Sequence, residues 1–462
     1  MQNEPNPLTE EVLQPAELST RPVESEERIS SVDVLRGFAL LGILLMNIQN
    51  FGLPGPAYGN PTAWAGATGW NLYYWVANQI FFEGKMRFLF SLLFGAGTVL
   101  LTERAERRGA GVATADIYLR RCMWLMLFGL IHAYLIWDGD ILFFYGTVGL
   151  GLFVFRNLSA KTLTIWAMSA FFLMNLAGVG MYFSDRSTRQ DGIAALKIPE
   201  AKRTKEQKKA AESYQEQLKG SDLVKKRERI DEEIQTFRGG YLGIIAHRAP
   251  HTLQIQTTVF LKYILLDVLF PMLLGMAAYK SGVLSAMKSA SFYAWQAILG
   301  YALGLPVLIY ATWQVYDSNW DPWHFTWLGM SYEYGRLPIG LAHMGLVLFI
   351  FKMGWLKPLT YALSKVGQMA LTNYLLTSVL MSLFFNGYGL GKFGALERHQ
   401  LLYVVFGMWT INLVLSPIWL KYFRFGPMEW VWRSLTYWKK QPMRIAESVP
   451  VEPIQAAPPA VA

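Results

Sequence analysis

Cysteine is nearly absent from this chain. Cys122 is the single one in 462 residues, which excludes a disulfide framework and a cysteine-based metal centre. Charge is scarce as well. Asp, Glu, Lys and Arg together make up 16% of the residues, against about 25% in an ordinary soluble domain. So large a deficit over so long a chain excludes a disordered protein, a collagen-like fibre and a typical cytosolic enzyme. The common phosphate, zinc and hydrolase signatures are missing too. There is no G-x-x-x-x-G-K-[ST], no H-E-x-x-H and no G-x-S-x-G, so ATP-driven transport and ordinary hydrolase chemistry lose support. GLGKFG at Gly389–Gly394 matches G-x-G-x-x-G. It lies between two apolar runs and follows no strand, so the dinucleotide reading fails.

What is present is apolar. Hydrophobic residues make up 53% of the chain, and the mean hydropathy is +0.24. The expected fold class is an all-α integral membrane protein, a polytopic bundle of about ten transmembrane helices. The runs are Gly37–Leu53, Met86–Leu101, Leu119–Trp137, Ile141–Phe155, Leu163–Phe183, Val259–Tyr279, Phe292–Trp313, Pro338–Phe351, Val366–Phe385 and Leu402–Leu420. The aromatic stretch Trp70–Phe82 is too short to cross and is expected as an interfacial helix. Around the runs the chain divides into a disordered acidic tail (1–32), an N-terminal bundle (33–184), a charged solvated helical loop (185–250), a C-terminal bundle (251–440) and a disordered tail (441–462). The first run reads as an uncleaved signal anchor. The net charge of +9 is an orientation signal rather than a nucleic-acid footprint. Arg104, Arg107, Arg108, Arg120, Arg121, Arg156, Lys161, Lys280, Lys288, Lys352, Lys357, Lys365, Lys421, Arg424 and Arg433 fall in short loops that the positive-inside rule places in the cytoplasm. Both termini then lie inside, while the 185–250 segment lies outside.

Polar residues inside apolar helices are the candidates for function, because lipid cannot satisfy them. Asp33, Arg36, Asn47 and Asn50 return to one face of the first helix. They either hold the bundle together or line a wet cavity. His132, near the middle of its span, is followed by Asp138 and Asp140 in IHAYLIWDGDIL. The imidazole suits proton transfer near neutral pH, unless a neighbouring carbonyl satisfies it. The two acids either cap a helix or serve the His. Glu83, Lys85 and Arg87 open a span, where they pair with Asp140, attract an anionic group or snorkel. Gln368, Thr372 and Asn373 form a late polar patch that either packs helices or touches a ligand. His247, Arg248 and His251 straddle Pro250, which makes a metal site weak, and Asp267 is a further intramembrane acid.

RISSVDVLRGFALLGILLMN, EGKMRFLFSLLFGAG, GLIHAYLIWDGDILFFYG, VGQMALTNYLL and FGPMEWVWRSLTY occur in order across residues 28–440. Together they resemble the YeiB-like bacterial membrane family, which carries domain of unknown function 418. The resemblance implies a multi-pass protein of the bacterial cytoplasmic membrane and supplies no demonstrated activity. Val32-Asp33 to Arg36-Gly37, with Asn47 ten residues after the glycine, more distantly resembles the start of the transmembrane acyltransferases. That likeness implies an acyl-CoA donor entering from the cytoplasm and an acceptor modified on the other face. In the N-acetyltransferase type a catalytic His follows the Asn by about eleven residues, a place held here by Tyr58.

The sequence therefore leads to an acyl transferase acting on an envelope glycan, lipid or small metabolite. His132 is the expected base, oriented by Asp140, and Asn47 binds the acyl carbonyl or acceptor hydroxyl. Arg36, Lys85, Arg87, Asn50 and Asn373 are the expected substrate contacts. Acyl-CoA is the donor, with no tightly bound cofactor and no metal. The partners are the lipid bilayer, the donor and the acceptor, with no nucleic acid. The rival is a membrane transporter using the same residues as a proton-coupled path.

Overall fold

The computed structural model of the protein describes residues 29–219 and 223–445. Most of the tail assigned to 1–32, and residues 446–462 of the C-terminal one, lie outside the described residues. The described residues form helices and connecting loops, with no strand among them. The helices are α1 (Ser30–Gly52), α2 (Gly69–Ala77), α3 (Lys85–Arg107), α4 (Ala113–Ile131), α5 (Leu142–Leu152), α6 (Ala160–Leu196), α7 (Lys205–Lys219) and α8 (Leu223–Phe237). There follow α9 (Tyr241–Gln254), α10 (Leu265–Lys280), α11 (Ala290–Asp317), α12 (Pro322–Met353), α13 (Lys357–Gln368), α14 (Ala370–Phe385), α15 (Leu401–Tyr422) and α16 (Pro427–Tyr437). Among the described residues, eight helical stretches are long and apolar enough to cross a membrane. The broken pair α13–α14, bent by 84°, supplies a ninth, and Leu142–Phe155 is a shorter apolar helix.

Burial sorts these helices. In α1, 83% of the apolar window is buried, against 22–28% in α4, α6, α11 and α15. The second group turns Phe172, Leu176, Leu303 and Tyr403 outward, as lipid-facing helices do. The first is the central post of the bundle. Small residues let its neighbours close in, the usual device where lipid offers no hydrophobic drive between helices. A Cβ on Gly37 would fall 2.0 Å from the Leu363 carbonyl oxygen, and one on Gly367 1.9 Å from that of Asp33. Gly95 and Gly275 join α3 to α10 in the same way.

Side-chain ties gather the loops into two ends. At the basic end Lys280 Nζ donates to the Arg156 and Leu158 carbonyls, Arg156 pairs with Glu106, and Ser31 donates to Leu284. At the opposite end Gly55 N–H donates to Glu233, Asn71 to Glu397, Arg238 to the Phe393 carbonyl and Tyr241 to that of Leu135.

Several boundaries differ from expectation. The helix begins at Ser30, so residues 30–32 belong to the bundle. Nothing breaks the helical run at residue 184, and α6 continues to Leu196. Gly239 and Gly240 end the charged segment, and α9 starts at Tyr241. Residues 441–445 are tied to the bundle through Arg424 N–H to the Met443 carbonyl and an antiparallel bridge between Phe423 and Arg444. The stretch Trp70–Phe82 exposes Trp70 and Tyr73 but buries Asn78, and His343 on α12 hydrogen-bonds the Phe81 carbonyl. Its second half enters the bundle, ending where Gly84 turns with φ +72°.

Candidate functional site

The end of α4 is built by a change of helical pitch. His132–Ile136 form a π-turn, closed by Trp137 N–H on the His132 carbonyl at 2.8 Å. Such turns leave carbonyls unpaired. Tyr241 and Arg248 from α9, and Ser382 from α14, donate to those of Leu135 and Ile136. The chain then turns through Asp138-Gly139-Asp140. Gly139 is obligatory there, because a Cβ would meet the Trp137 ring at 2.2 Å. The turn swings Asp140 back beneath α4. Its Oδ1 lies 2.9 Å from His132 Nδ1, and its Oδ2 accepts the Phe143 N–H at 2.7 Å, so it also caps α5. Both readings of Asp140 hold at once. In the neutral imidazole, an Asp140 carboxylate places the proton on Nδ1, and Nε2 then presents a lone pair. His132 is fully buried, and Nε2 has no hydrogen-bond partner among the described residues.

A cavity of about 200 Å³ approaches this dyad from the basic end. Its mouth carries Arg36 on α1, Arg104 on α3, Arg121 on α4 and Arg433 on α16, against two carboxylates, Asp33 and Glu429. Arg36 pairs with Asp33 at 3.0 Å, and Arg121 lies on the Trp432 ring at 3.8 Å. The wall is apolar along α3, from Leu101 to Phe90, and the far end is formed by Tyr145 and Tyr374. Along α3 the lining runs from Arg104 to Phe90, fourteen residues or about 21 Å of helical rise. The Tyr374 ring lies 5.0 Å from that of His132. The α13–α14 break also faces the cavity, through Gly367, Gln368, Ala370 and Leu371. Glu429 accepts N–H from Leu371 and Thr372 at 2.6 and 3.1 Å, which caps the N-terminus of α14. Burial holds the Glu429 carboxyl above its ordinary range, while the Thr372 hydroxyl and the backbone N–H groups pull the other way.

The sequence-derived candidates fall into two groups. His132 and Asp140 bond each other but line neither cavity, while Asn47 lines a second, water-sized space with Trp137 and Tyr374, whose rings both neighbour that of His132. Arg36 stands at the cavity mouth. The others go elsewhere. Lys85 and Arg87 do not meet Asp140. Lys85 is fully buried and donates to the Gln79 carbonyl at 2.6 Å. Arg87 pairs with Asp267 at 3.2 Å, and Asp267 also holds Arg336, which in turn bonds Glu333. Asn373 donates to the Val366 carbonyl and to Ser416, so it stitches the α13–α14 break to α15. Asn50 is exposed at the end of α1 and lines neither cavity. Tyr58 donates to Glu83 at 2.8 Å. Burial, then that carboxylate, holds its phenol well above the ordinary range, so it stays protonated.

Sequence reasoning passed over Arg104, Arg121 and Arg433, taken as orientation signals alone, together with Glu429, Tyr145, Tyr374 and Trp137. The only signal for the arginines was position, one helical turn or so inside basic loops. Among the described residues no group of three or more His, Cys, Asp or Glu is placed to hold a metal ion.

Comparison with known proteins follows the same lines. Residues 278–439 match the family model "Protein of unknown function (DUF418)". The chain is 32% identical to the uncharacterized protein YxaH of Bacillus subtilis, covering 92% of this chain and 98% of the relative. It is 31% identical to the uncharacterized protein YeiB of Escherichia coli, over 89% and 96% of the two chains. It is 26% identical to an uncharacterized 39.9 kDa protein encoded beside an amylase in Bacillus acidopullulyticus, over 91% and 97%. No solved structure matches. The protein belongs to the YeiB-like DUF418 family of multi-pass membrane proteins.

Proposed function

We propose that this family member is a transmembrane acyltransferase of the bacterial inner membrane, with its basic end and both termini in the cytoplasm. The observation that carries the reading is one continuous arrangement. A cavity with four arginines at its mouth and an apolar wall ends on Tyr374, whose ring rests against a buried His132–Asp140 pair. Acyl-CoA suits each part. Its phosphates meet Arg36, Arg104, Arg121 and Arg433, its arm follows the apolar wall, and its thioester arrives at Tyr374. His132 Nε2 takes the proton of the acceptor's hydroxyl or amine as general base, and Asp140 fixes its tautomer. Asn47 binds the acyl carbonyl or acceptor hydroxyl. The acceptor is an envelope glycan, lipid or small metabolite, reached from the opposite end. Lys85, Arg87, Asn50 and Asn373 have no part in this scheme.

The test is transfer from labelled acyl-CoA to an envelope extract by purified protein in lipid nanodiscs. His132→Ala is expected to lose about 10³-fold in rate, and Asn47→Ala about 10-fold to 100-fold. Full transfer by both variants removes the mechanism. The 84° break at Met369 favours a second reading, since transporters place broken helices at their binding sites. Uptake of a solute into proteoliposomes without covalent change would favour that transporter, with His132 and Asp140 as its proton path.

A further inference from the structure

The turn that carries Trp137 holds an atom the scheme above does not use. Trp137 is 3% exposed, and its Nε1–H has no hydrogen-bond partner among the described residues. Buried N–H groups are rarely left so. The indole lines the second cavity, about 10 Å³, with Asn47, Tyr374, Thr377 and Ser378. That volume admits roughly one oxygen atom. Thr377 and Ser378 spend their hydroxyl protons on the carbonyls of Asn373 and Tyr374, so they offer the chamber lone pairs only. Of the residues lining it, Trp137 and Asn47 are the ones whose side chains carry N–H donors. Tyr374 lines both cavities, so the two meet at this residue. The His132 ring lies 6.1 Å from the indole.

We infer that Trp137 is a further catalytic residue, an oxyanion donor paired with Asn47; this rests on the acyl-transfer reading. The acceptor's oxygen or nitrogen bonds to the thioester carbon while its proton passes to His132 Nε2. The carbonyl π pair moves onto oxygen, which enters the chamber and accepts hydrogen bonds from Trp137 Nε1 and the Asn47 amide. The pair returns, the carbon–sulfur bond breaks, and the departing thiolate takes the proton from His132. The products are an acyl ester or amide and the free thiol. The donor is preorganised, as this role requires. Phe51 stacks on the indole at 4.0 Å and 22°, and Gly139 lets the backbone press against its edge.

Trp137→Phe keeps the stacked ring and removes the N–H. Wild type, Trp137→Phe and His132→Ala, each in nanodiscs, are given acetyl-CoA and a bacterial envelope extract. Release of CoA thiol, binding of labelled acetyl-CoA and the melting temperature are followed. Trp137→Phe is expected to lower kcat about 100-fold, with the Kd for acetyl-CoA within twofold of wild type and the melting temperature unchanged. A kcat within threefold of wild type overturns the inference. So does a loss of kcat that comes with lost binding and melting temperature, since it reduces Trp137 to packing. If His132→Ala is dead while Trp137→Phe is active, only this inference fails. If the wild type releases no thiol, or His132→Ala is fully active, the acyl-transfer reading fails as well.

Discussion

Two clusters of buried polar residues share this apolar bundle, and they differ in the space that adjoins them. In the first, Glu83, Asp267 and Glu333 sit among Lys85, Arg87 and Arg336, three carboxylates and three cations. Arg87 and Arg336 close on Asp267, and Arg336 closes on Glu333. Neither cavity is lined by any of them. In the second, Asp140 holds one side of His132, while His132 Nε2 and Trp137 Nε1 face no partner among the described residues. A cavity ends one aromatic ring away. Burial of charge is common to both, so burial alone does not mark a site. Unpaired capacity next to space does. The first cluster resembles a structural ion network, in which mutual attraction offsets desolvation.

Exchanging one carboxylate in each cluster puts that contrast at its greatest risk. Asp267→Asn removes the shared partner of two arginines, and Arg336 has no exposed surface to retreat to. The expected cost is about 3–5 kcal/mol of stability, seen as a lowered unfolding midpoint in detergent, with transfer per folded molecule retained. Asp140→Asn is expected to do the opposite: transfer falls about 10³-fold, because the amide no longer fixes the His132 tautomer, and the midpoint moves less. The comparison breaks if Asp267→Asn abolishes transfer in folded protein while Asp140→Asn leaves it intact.

The arginines give a smaller effect. Arg36→Ala combined with Arg433→Ala is expected to raise the KM for acyl-CoA about 10-fold, with kcat within twofold, since headgroup binding is made equally in ground and transition states. Added salt is expected to raise the wild-type KM in the same direction. Lys85→Gln, in the closed network, is expected to leave the KM unchanged. An unchanged KM in the double variant would remove the basic mouth from donor binding.

The sequence showed the bundle because a membrane span is a property of composition and length. Its polar residues were visible for the same reason. The DGD turn placed Asp140 near His132 because eight residues of chain are too few to separate them. What could not be read was partnership over long separations. Nothing near Lys85 announces Glu333 or Arg336, some 250 residues away, and nothing near Thr372 announces Glu429. Asn373 looked like a ligand contact only because its acceptors, one of them Ser416 on α15, are set by packing. The arginines of the mouth were counted as topology signals, and a loop-end arginine reads the same whether it faces water or a cavity. The bend at Met369 was also hidden, because no proline or glycine occupies that residue. Its cause is tertiary, a carboxylate from α16 that accepts the freed N–H groups.

That carboxylate gives the finest test of how the two clusters differ, because it lines the cavity that leads to the open one and yet is fully bonded. Burial raises the folded-state pKa of Glu429 above the value of an unfolded glutamate. The folded protein therefore binds this proton more tightly than the unfolded chain does. By linkage, stability falls as pH rises from the ordinary carboxylate range through the raised folded value, and is flat beyond it. Glu429→Gln keeps an oxygen for the Leu371 and Thr372 N–H groups and removes the titration. It is expected to flatten that slope and to change stability by less than about 1 kcal/mol, read from unfolding midpoints between pH 4 and pH 7 in the same detergent. The wild-type slope surviving in Glu429→Gln would assign it to another group. A loss of acyl-CoA binding in this variant would make the α14 cap part of the donor site, where the scheme gives it only the task of holding the broken helix open beside the cavity.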